Sequence, residues 1–402
     1  MSGLLDGVRI LDFSHVVTGP FATGLLADYG ADVIKIESAT AVEPGRRLGP
    51  FAPGAPREPD GSALFAALNR NKRSVALNLK HPRGTEIALA LADRCDVLVE
   101  NFSVGTMGRL GLGHERVLAR NPRLVYLSMS GLGATGPRAG WVSFNVVIQA
   151  LSGLMLATGR PGDPPVGISN SWADFVAGLH GAALIAAALE RRDRDGHGCW
   201  IDLSQYEANV LPIGHLVLES VERGYASPRP GNRSVFAAPQ GCYPCAGDDA
   251  WCAVSVTDDT AWTALVALIG DAALAVPAYR TLAGRQAHAD EIDAVIERWT
   301  RSRPASDVEA ALRRAGVPAA AVRTNVEALA ELPRFVPSHS TMTHPVVGEI
   351  PVPPNPLHPE RAARRAHRAG PRLGEHTASV LAEILGMSAE TVDQLAADGV
   401  LT

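Results

Sequence analysis

Short apolar runs alternate with amphipathic stretches through the first two hundred residues of the chain. Residues 8–13 form an apolar run, residues 21–29 have helical spacing after a Gly-Pro start, and Asp32–Glu37 is a second strand-like run. A strand, a helix and a strand within roughly thirty residues predict a βαβ unit, in which the two strands are parallel and the crossover is right-handed. The chain is therefore expected to begin as a parallel α/β sheet.

The same alternation repeats further along the chain. Strand-like runs occur at residues 74–79, Val97–Glu100 and 124–130, and residues 83–94 have the spacing of a helix. Together these segments predict an α/β fold built on a Rossmann-like, doubly wound parallel sheet. In such sheets, ligands bind beyond the carboxyl ends of the strands.

Two segments rich in proline and glycine suggest connections between domains. Residues 224–241 have few periodic positions, and residues 333–359 contain eight prolines in 27 residues, which excludes a regular helix and indicates an extended connector. We therefore assign a large Rossmann-like domain to residues 1–223 with 334–402 and a small α/β domain to residues 224–333. Helical spacing is found at residues 260–269, 285–300, 306–315 and from Gly374 onward.

Composition narrows the class of protein. The 402 residues are 46% hydrophobic and 20% charged, and 37 basic against 42 acidic residues give a net charge of −5. This balance offers no basic surface for nucleic acid or for an anionic membrane. The amino terminus lacks the features of a signal peptide, and the longest apolar run, residues 175–189, is too short to span a bilayer. We expect a cytoplasmic protein.

The five cysteines are scattered and odd in number, which fits free thiols in a reducing compartment. The one tight spacing, Cys242 and Cys245, lacks the second pair of ligands that a structural zinc site needs. We interpret these two residues as small buried side chains on a strand that turns at Pro244. No metal site is expected.

The first βα turn, residues 15–24, resembles a dinucleotide-binding turn only in outline. Glycines at positions 19 and 24 do not complete the GxGxxG pattern, although Glu37 could serve as the ribose-binding acid of a dehydrogenase. A helix that begins near Pro20 still offers backbone amides to an anion. A phosphate-bearing ligand therefore remains open.

Two further segments follow predicted strands. Residues 69–80 place four basic side chains around a short strand, and residues 100–113 combine an amide, an aromatic ring and a glycine-rich turn. Cations, backbone amides and an aromatic face at one edge of a sheet are suited to a nucleotide. On these residues alone we infer only that the protein binds an anionic ligand.

Asp174 is the most informative single residue. It directly precedes an almost wholly apolar helical run, where aspartate commonly caps a helix and stabilises it by about 1 kcal/mol. The same position could keep the carboxylate ionised in a poorly hydrated site and so make it a nucleophile. The spacing alone leaves both interpretations open.

The chain resembles the class III CoA-transferases, the carnitine CoA-transferase and bile-acid-inducible family, which includes formyl-CoA transferase and α-methylacyl-CoA racemase. The resemblance covers residues 4 to about 378. The matching stretches are LDGVRILDFSHVVTGPFATGLLADYGADVIKIE, LNRNKRSVALNLK, DVLVENFSVGTMGRLGLG, ADFVAGLHGAA around Asp174, and LGEHT.

The resemblance implies an interlocked homodimer that transfers coenzyme A from an acyl-CoA donor to a small carboxylic acid. Asp174 becomes the expected nucleophile, acting through aspartyl anhydride and aspartyl-CoA thioester intermediates without a metal. Coenzyme A is expected to be a substrate of the enzyme. The family's coenzyme A contacts map onto His15, Val16, Leu77, Lys80, Asn101, Phe102 and Arg109.

Several positions depart from individual branches of the family. Val17 and Ser38 replace a glutamine and an arginine of formyl-CoA transferase, and residues 229–241 lack its glycine-rich lid, so oxalate and formate are poor substrate candidates. Phe144 stands where the racemase branch has a histidine, and phenylalanine cannot carry a proton. The sequence therefore favours a transferase, with a racemase and a coenzyme A-binding protein without turnover as alternatives.

Overall fold

The computed structural model describes residues 3–52, 54, 57, 59–224, 229–335, 340–352 and 367–402, with side chains excepted at 332–335 and 340. Contacts between Cα atoms divide the chain into two compact units. The first comprises Met1–Met155, Gly167–Tyr225 and Ser338–Thr402, and the second comprises Leu156–Val166 and Ala226–Pro337.

A six-stranded sheet forms the centre of the first unit. Its strands are β1 (Arg9–Asp12), β2 (Asp32–Glu37), β3 (Arg73–Ala76), β4 (Val97–Glu100), β5 (Val125–Ser128) and β6 (Cys199–Asp202). They are all parallel and lie in the order β3-β2-β1-β4-β5-β6. This confirms the predicted doubly wound sheet, whose order reverses between β1 and β4.

Helices cover both faces of this sheet. The helices up to Arg223 are, in chain order, α1 (Thr18–Asp28), α2 (Ala63–Leu68), α3 (Pro82–Ala92), α4 (Thr106–Arg109), α5 (His114–Arg120), α6 (Asn145–Ser152), α7 (Leu154–Ala157), α8 (Trp172–Asp195), α9 (Gln205–Val210) and α10 (Gly214–Arg223), and those that cover its faces include α1, α3 and α8. Because side chains alternate along a strand, Ile10 and Leu11 point into different hydrophobic clusters. The sheet is therefore buried on both faces, as parallel sheets require.

The second unit is built on a small antiparallel sheet. Its strands are β7 (Gln240–Pro244), β8 (Trp251–Ser255) and β9 (Ala319–Ala321), and its helices are α11 (Asp259–Ile269), α12 (Leu282–Ala287), α13 (Ala289–Thr300), α14 (Ala305–Arg314) and α15 (Asn325–Phe335). Trp262, Leu265 and Ile292 pack in its core. The single helix predicted over residues 285–300 is wrong, because α12 ends and α13 begins around His288.

The carboxyl-terminal segment belongs to the first unit. It contains a hairpin of β10 (Ser340–His344) and β11 (Gly348–Val352), and then α16 (Thr377–Leu385) and α17 (Ala389–Ala397). The His376 amide donates to the Ser74 carbonyl at 2.9 Å, and Val380 and Leu381 enter the core beside the sheet. The expectation of an extended connector over residues 333–359 is wrong where a helix end and the hairpin occupy it; residues 336–339 and 353–359 lie outside the described part.

Helix α8 has 24 residues and, by length and composition alone, could cross a membrane. The sequence prediction that the apolar run at residues 175–189 is too short to span a bilayer is corrected, because the helix that contains it is longer. Core helices of soluble proteins pass the same test. In the fold, α8 packs against α1, where the rings of Phe21 and Phe175 meet edge to face at 4.8 Å.

Candidate active site

A buried ion pair holds the backbone of the turn between β1 and α1. Lys35 Nζ lies 2.6 Å from a carboxylate oxygen of Glu43 and also donates to the Ser14 carbonyl at 2.6 Å. The other Glu43 oxygen accepts the Val16 amide at 3.0 Å. Val16 has a φ of 66°, which is strained for a β-branched residue. The ion pair therefore fixes the backbone of a turn that would otherwise relax.

A second buried ion pair lies at the end of β1. Lys72 Nζ donates to Asp12 at 2.9 Å, to the Asn69 side chain at 2.8 Å and to the Pro20 carbonyl at 3.0 Å. Burial disfavours the charged form of Asp12, but Lys72 and Lys35 outweigh it and hold the pKa of that carboxyl well below its usual range. Burial lowers the pKa of Lys72 to about 8, although Asp12 opposes the shift. This pair joins β1 to the start of α1.

The basic residues around β3 mostly serve the fold. Arg70 binds the buried Asp28 at 2.6 Å, and Arg73 binds Asp32 at 2.6 Å. Lys72 is committed to Asp12, so of the four basic residues only Lys80 is exposed to solvent. The expectation that this basic cluster as a whole faces an anionic ligand is wrong, because charge pattern alone did not distinguish buried pairs from free cations.

Glu37 is also committed within the protein. Arg46 binds its two carboxylate oxygens at 2.7 and 2.8 Å, and Ser74 donates to it at 2.6 Å. All three side chains are buried. A carboxylate that is enclosed in this way cannot bind a ribose, which removes the dehydrogenase interpretation of this acid.

His15, Asn101 and Phe102 come together at the carboxyl ends of β1 and β4. The Asn101 side chain accepts the His15 amide at 2.8 Å and donates to the His15 carbonyl at 2.9 Å. The His15 ring meets Phe102 edge to face at 4.8 Å. Burial, followed by the charge of Lys35, lowers the pKa of His15 to about 4. The imidazole is therefore neutral at pH 7.

The remaining residues expected to contact coenzyme A differ in exposure. Leu77 is fully buried and belongs to the core, whereas Lys80 is exposed. Arg109 is exposed at the end of α4, where it donates to Thr106 at 2.9 Å. Among the described residues expected to contact coenzyme A, Lys80 and Arg109 are therefore exposed cations, whereas the side chain of Leu77 is not accessible to a ligand.

A cavity of about 450 Å³ lies at the carboxyl ends of β4 and β5. Glu100, Phe102, Ser128 and Trp200 are among its lining residues. Burial raises the pKa of Glu100, although hydrogen bonds from Ser128 and from the Phe102 amide oppose the shift. The edge of the sheet at which ligands are expected to bind therefore contains a cavity large enough for a ligand.

Asp174 lies in the first turn of α8 and does not cap it. The helix begins at Trp172, and Ser171 occupies the capping position with a φ of 55°. Asn170 has a φ of 61° as well. The interpretation of Asp174 as the cap is therefore wrong. Two successive left-handed residues precede the helix; asparagine adopts this conformation readily, whereas a serine held in it is strained, and such strain is typical of functional sites.

The carboxylate of Asp174 is half-buried beside α1. Thr18 Oγ1 donates to Asp174 Oδ1 at 2.7 Å. A Cβ added at Gly178, one turn along α8, would lie 2.8 Å from the Thr18 carbonyl, so only glycine permits this approach of the two helices. Burial raises the pKa of Asp174, and hydrogen bonds from Thr18 and from its own backbone amide only partly offset the shift.

Side-chain amides hold the start of α8 in place. Asn145 Oδ1 accepts the Ala173 amide at 3.0 Å, and Asn209 donates to the Ala173 carbonyl at 3.0 Å. Gln205, one turn before Asn209 on α9, approaches Thr18 Oγ1 at 3.3 Å. These residues and Thr18 were missed in the sequence. The amides could have been noticed in the sequence, because they are polar side chains within otherwise apolar helical segments.

Polar residues of the second unit are already paired. Arg233 binds Asp293 at 2.7 Å, and the Tyr243 hydroxyl donates to Asp293 at 2.6 Å. Cys245 is buried, but Cys242 is exposed, which corrects the expectation that both are buried. Among the described residues no group of three His, Cys, Asp or Glu side chains could hold a metal ion.

Comparisons with known proteins cover nearly the whole chain. A family model described as CoA-transferase family III matches residues 5–377. Succinyl-CoA–D-citramalate CoA-transferase of Chloroflexus aurantiacus is 32% identical over 402 residues, covering 99% of this chain and 98% of that one. Acetyl-CoA:oxalate CoA-transferase of Acetobacter aceti is 33% identical over 391 residues, covering 96% and 97%. The crystal structure of a CaiB/BaiF family protein from Brucella suis has a TM-score of 0.86 and 29% identity, covering 96% of this chain and 100% of that one.

Proposed function

The chain belongs to CoA-transferase family III and is a CoA-transferase, and we propose that it works by covalent catalysis at Asp174. The observation that carries the proposal is a half-buried carboxylate, hydrogen-bonded through one oxygen to Thr18, in the first turn of α8. Its raised pKa reflects incomplete solvation of the charged form. A poorly solvated carboxylate is a better nucleophile than one in bulk water.

The reaction divides into four exchanges at carbonyl carbons. The Asp174 carboxylate attacks the donor thioester, the carbon–sulfur bond breaks, and a mixed anhydride and coenzyme A thiolate result. The thiolate attacks the aspartyl carbon, releasing the donor acid and leaving an aspartyl-CoA thioester. The acceptor carboxylate then displaces the thiolate to form a second anhydride, and the thiolate finally attacks its acceptor carbonyl, which frees Asp174. The thioester energy is retained throughout.

The carboxyl edge of the sheet supplies the groups that would hold coenzyme A. The exposed Lys80 and Arg109 are suited to the phosphates, since cations on mobile side chains pair readily with them. The neutral His15 ring, together with Val16 and Phe102, offers apolar contacts, and Asn101 holds the His15 backbone in place. Leu77 would support this surface from the core beneath it.

The names of the relatives suggest the class of donor. One similar protein is named for succinyl-CoA and another for acetyl-CoA, both thioesters of small acids. We extend this to the present chain, with a small acyl-CoA as donor and a small carboxylic acid as acceptor.

A second copy of the chain is the proposed partner, in a cytoplasmic, interlocked homodimer. Helix α10 leaves Leu218 and Val221 69% and 77% exposed, and Leu211 just before it is 65% exposed. Trp141 and Phe144 are exposed as well. Large apolar side chains in such number on the surface of one chain indicate a protein interface.

An isotope-exchange assay tests the proposed function directly. Unlabelled succinyl-CoA or acetyl-CoA is mixed with the matching ¹³C-labelled free acid, so that donor and acceptor are the same acid. The wild type is expected to move label into the thioester, and Asp174→Ala is expected to fail while remaining folded. Undiminished exchange in that variant would refute the role of Asp174. Exchange of the substrate α-proton with deuterated solvent would instead revive the racemase alternative, and coenzyme A binding without any exchange would favour a binding protein.

A further inference from the structure

We propose that the Thr18 hydroxyl donates the hydrogen bond that stabilises the oxyanion formed on Asp174 Oδ1 when coenzyme A thiolate attacks the aspartyl anhydride. The inference rests on the proposed role of Asp174 as nucleophile. It adds a residue to the reaction and assigns different tasks to the two carboxylate oxygens.

Asp174 is the best hydrogen-bond acceptor near the Thr18 hydroxyl group. Thr18 is the first residue of α1, is only 1% exposed, and its Oγ1 lies 2.7 Å from Asp174 Oδ1. The other close polar atom is Gln205 Oε1, at 3.3 Å. The Gln205 amide nitrogen donates to the Met129 carbonyl at 2.8 Å, which fixes the side chain with its oxygen towards Thr18. Both neighbours are acceptors, so the hydroxyl donates, and the shorter contact is with Asp174.

The hydrogen bond distinguishes the two oxygens of the nucleophile. Oδ1 is engaged by Thr18, so Oδ2 is the oxygen that attacks the donor thioester and forms the anhydride bond. Oδ1 then becomes the carbonyl oxygen of the aspartyl anhydride. Thr18 is already in place beside it before the next step begins.

The second step places negative charge on that same oxygen. The thiolate sulfur forms a bond to the aspartyl carbon, and the carbonyl electron pair moves to Oδ1. When the carbonyl re-forms, the bond from carbon to Oδ2 breaks and the donor acid leaves as its carboxylate, with Oδ2 retained by the acid. A donor that faces the oxygen on which charge develops stabilises the transition state more than the neutral anhydride.

The rigid surroundings of Thr18 favour this role. Its backbone begins α1 directly after the strained turn that the Lys35–Glu43 pair holds, and Gly178 lets α8 approach its carbonyl. The donor and the acceptor therefore lie on two packed helices. Preorganised donors of this kind need no rearrangement at the moment of reaction.

Three variants at position 18 test the inference. Thr18→Val preserves the shape and removes the hydroxyl, and Thr18→Ser keeps the hydroxyl. With a donor identified by isotope exchange, Thr18→Val is expected to slow single-turnover formation of the coenzyme A adduct on the Asp174 peptide by about 10²-fold. KM should stay within about threefold, and Thr18→Ser should stay within about tenfold of the wild type. Thr18→Ala serves the same purpose if the valine variant does not fold.

The pH dependence supplies a second readout, which tests the hydrogen bond from Thr18 to Asp174 itself. The Thr18 hydrogen bond lowers the pKa of Asp174, so its loss should move the acid limb of the single-turnover rate to higher pH in Thr18→Val but not in Thr18→Ser. Adduct formation at the wild-type rate in a folded Thr18→Val protein overturns the inference, as does an equally slow Thr18→Ser. If the wild type itself forms no adduct at Asp174, the proposed function fails and not this step alone.

Discussion

Asp174 combines nucleophilic chemistry with a local environment that opposes its charge. It is half-buried, its carboxylate accepts a hydrogen bond from Thr18, and Asn170 and Ser171 before it have left-handed backbone conformations. Burial raises its pKa, which means that ionisation costs stability in the folded state. The residue is therefore expected to contribute to function at some expense of stability.

Replacing Asp174 by asparagine should separate these two effects. The amide is not a nucleophile, so kcat should fall by about 10⁴-fold or more. Because the charge is removed and Thr18 still finds an acceptor, the midpoint of thermal unfolding should not fall. Asp195→Asn, at the exposed far end of α8, is the matched control and should retain activity. A large loss of stability in Asp174→Asn would mean that the carboxylate mainly supports the helix.

The acid limb of kcat/KM is expected to report Asp174. Because its pKa is raised, the carboxylate is protonated at a higher pH than an ordinary aspartate, and activity is lost as the pH falls through that value. His15 also titrates on this side, with a pKa of about 4. His15→Gln should therefore raise KM and leave the acid limb where it is. A limb that disappears in this variant would assign it to His15.

The free cations of the site should act through coenzyme A binding. Lys80→Ala and Arg109→Ala should each raise KM for acyl-CoA about fivefold to twentyfold, equivalent to about 1–2 kcal/mol, with little change in kcat. The effect should shrink at high salt, because both side chains are exposed. Arg83→Ala, which removes an exposed cation paired with Asp398, is the control. Equal effects from all three variants would argue against specific phosphate contacts.

At the level of the element, the strands of the large sheet were the most predictable feature. β2 and β4 have the predicted limits, because short apolar runs bounded by turns repeat with helical spacing between them. The β10–β11 hairpin was missed because Pro345 and Pro351 suggest a connector. In the structure Pro345 lies in the turn and Pro351 in a two-stranded sheet, where proline is tolerated.

The buried ion pairs could not be predicted from the pattern. Lys35, Glu43 and Lys72 read as surface residues, since charged side chains are seldom fully buried unless paired, and the partners are distant in sequence. The same limit applied to Asp174, whose position in the helix depends on where α8 begins. Its chemical role came from the resemblance to a family and not from the spacing.

The pair of Asp12 and Lys72 should contribute strongly to stability. Asp12→Asn leaves a buried ammonium group uncompensated, which typically costs about 3–5 kcal/mol in the free energy of unfolding. Asp398→Asn breaks an exposed pair and should cost less than about 1 kcal/mol. Urea unfolding of the three proteins compares these values. Similar small losses in both variants would show that the buried pair is replaceable.

The pH dependence of the same proteins gives an independent check. The pKa of Asp12 is lower in the folded protein than in the unfolded chain, so its stabilisation is present above its unfolded value of 3.8 and is lost as the pH falls below it. Asp12→Asn should lack this component of acid unfolding. An unchanged acid transition would contradict the assignment.

At the level of the whole molecule, the sequence predicted that the carboxyl-terminal segment returns to the first unit. It did not predict the exposed apolar surface. The amide of Asn78 donates to the carbonyl of Val400 at 2.8 Å, which joins the loop after β3 to the carboxyl terminus. The exposed apolar residues Val146 on α6, and Leu218 and Val221 on α10, lie in helical segments whose apolar spacing suggests burial. A pattern of this kind cannot say whether a residue is covered by its own chain or by another.

The proposed homodimer predicts a mass of twice the 42.3 kDa of one chain in sedimentation or light scattering. Leu218→Asp together with Val221→Asp should weaken the assembly, because it places charge on the apolar face of α10. Arg223→Ala, at the polar end of the same helix, is the control. A monomeric and fully active wild type would contradict the proposed partner.

The most direct test of covalent catalysis at Asp174 is to look for the covalent intermediate on the wild-type protein. A preparation that shows isotope exchange is incubated with its acyl-CoA donor, quenched in acid, digested and analysed by peptide mass spectrometry. We predict an acyl or coenzyme A adduct on the Asp174 peptide, removed by hydroxylamine and missing from Asp174→Asn. An active preparation whose Asp174 peptide stays unmodified, or whose adduct lies on another residue, would contradict covalent catalysis at Asp174.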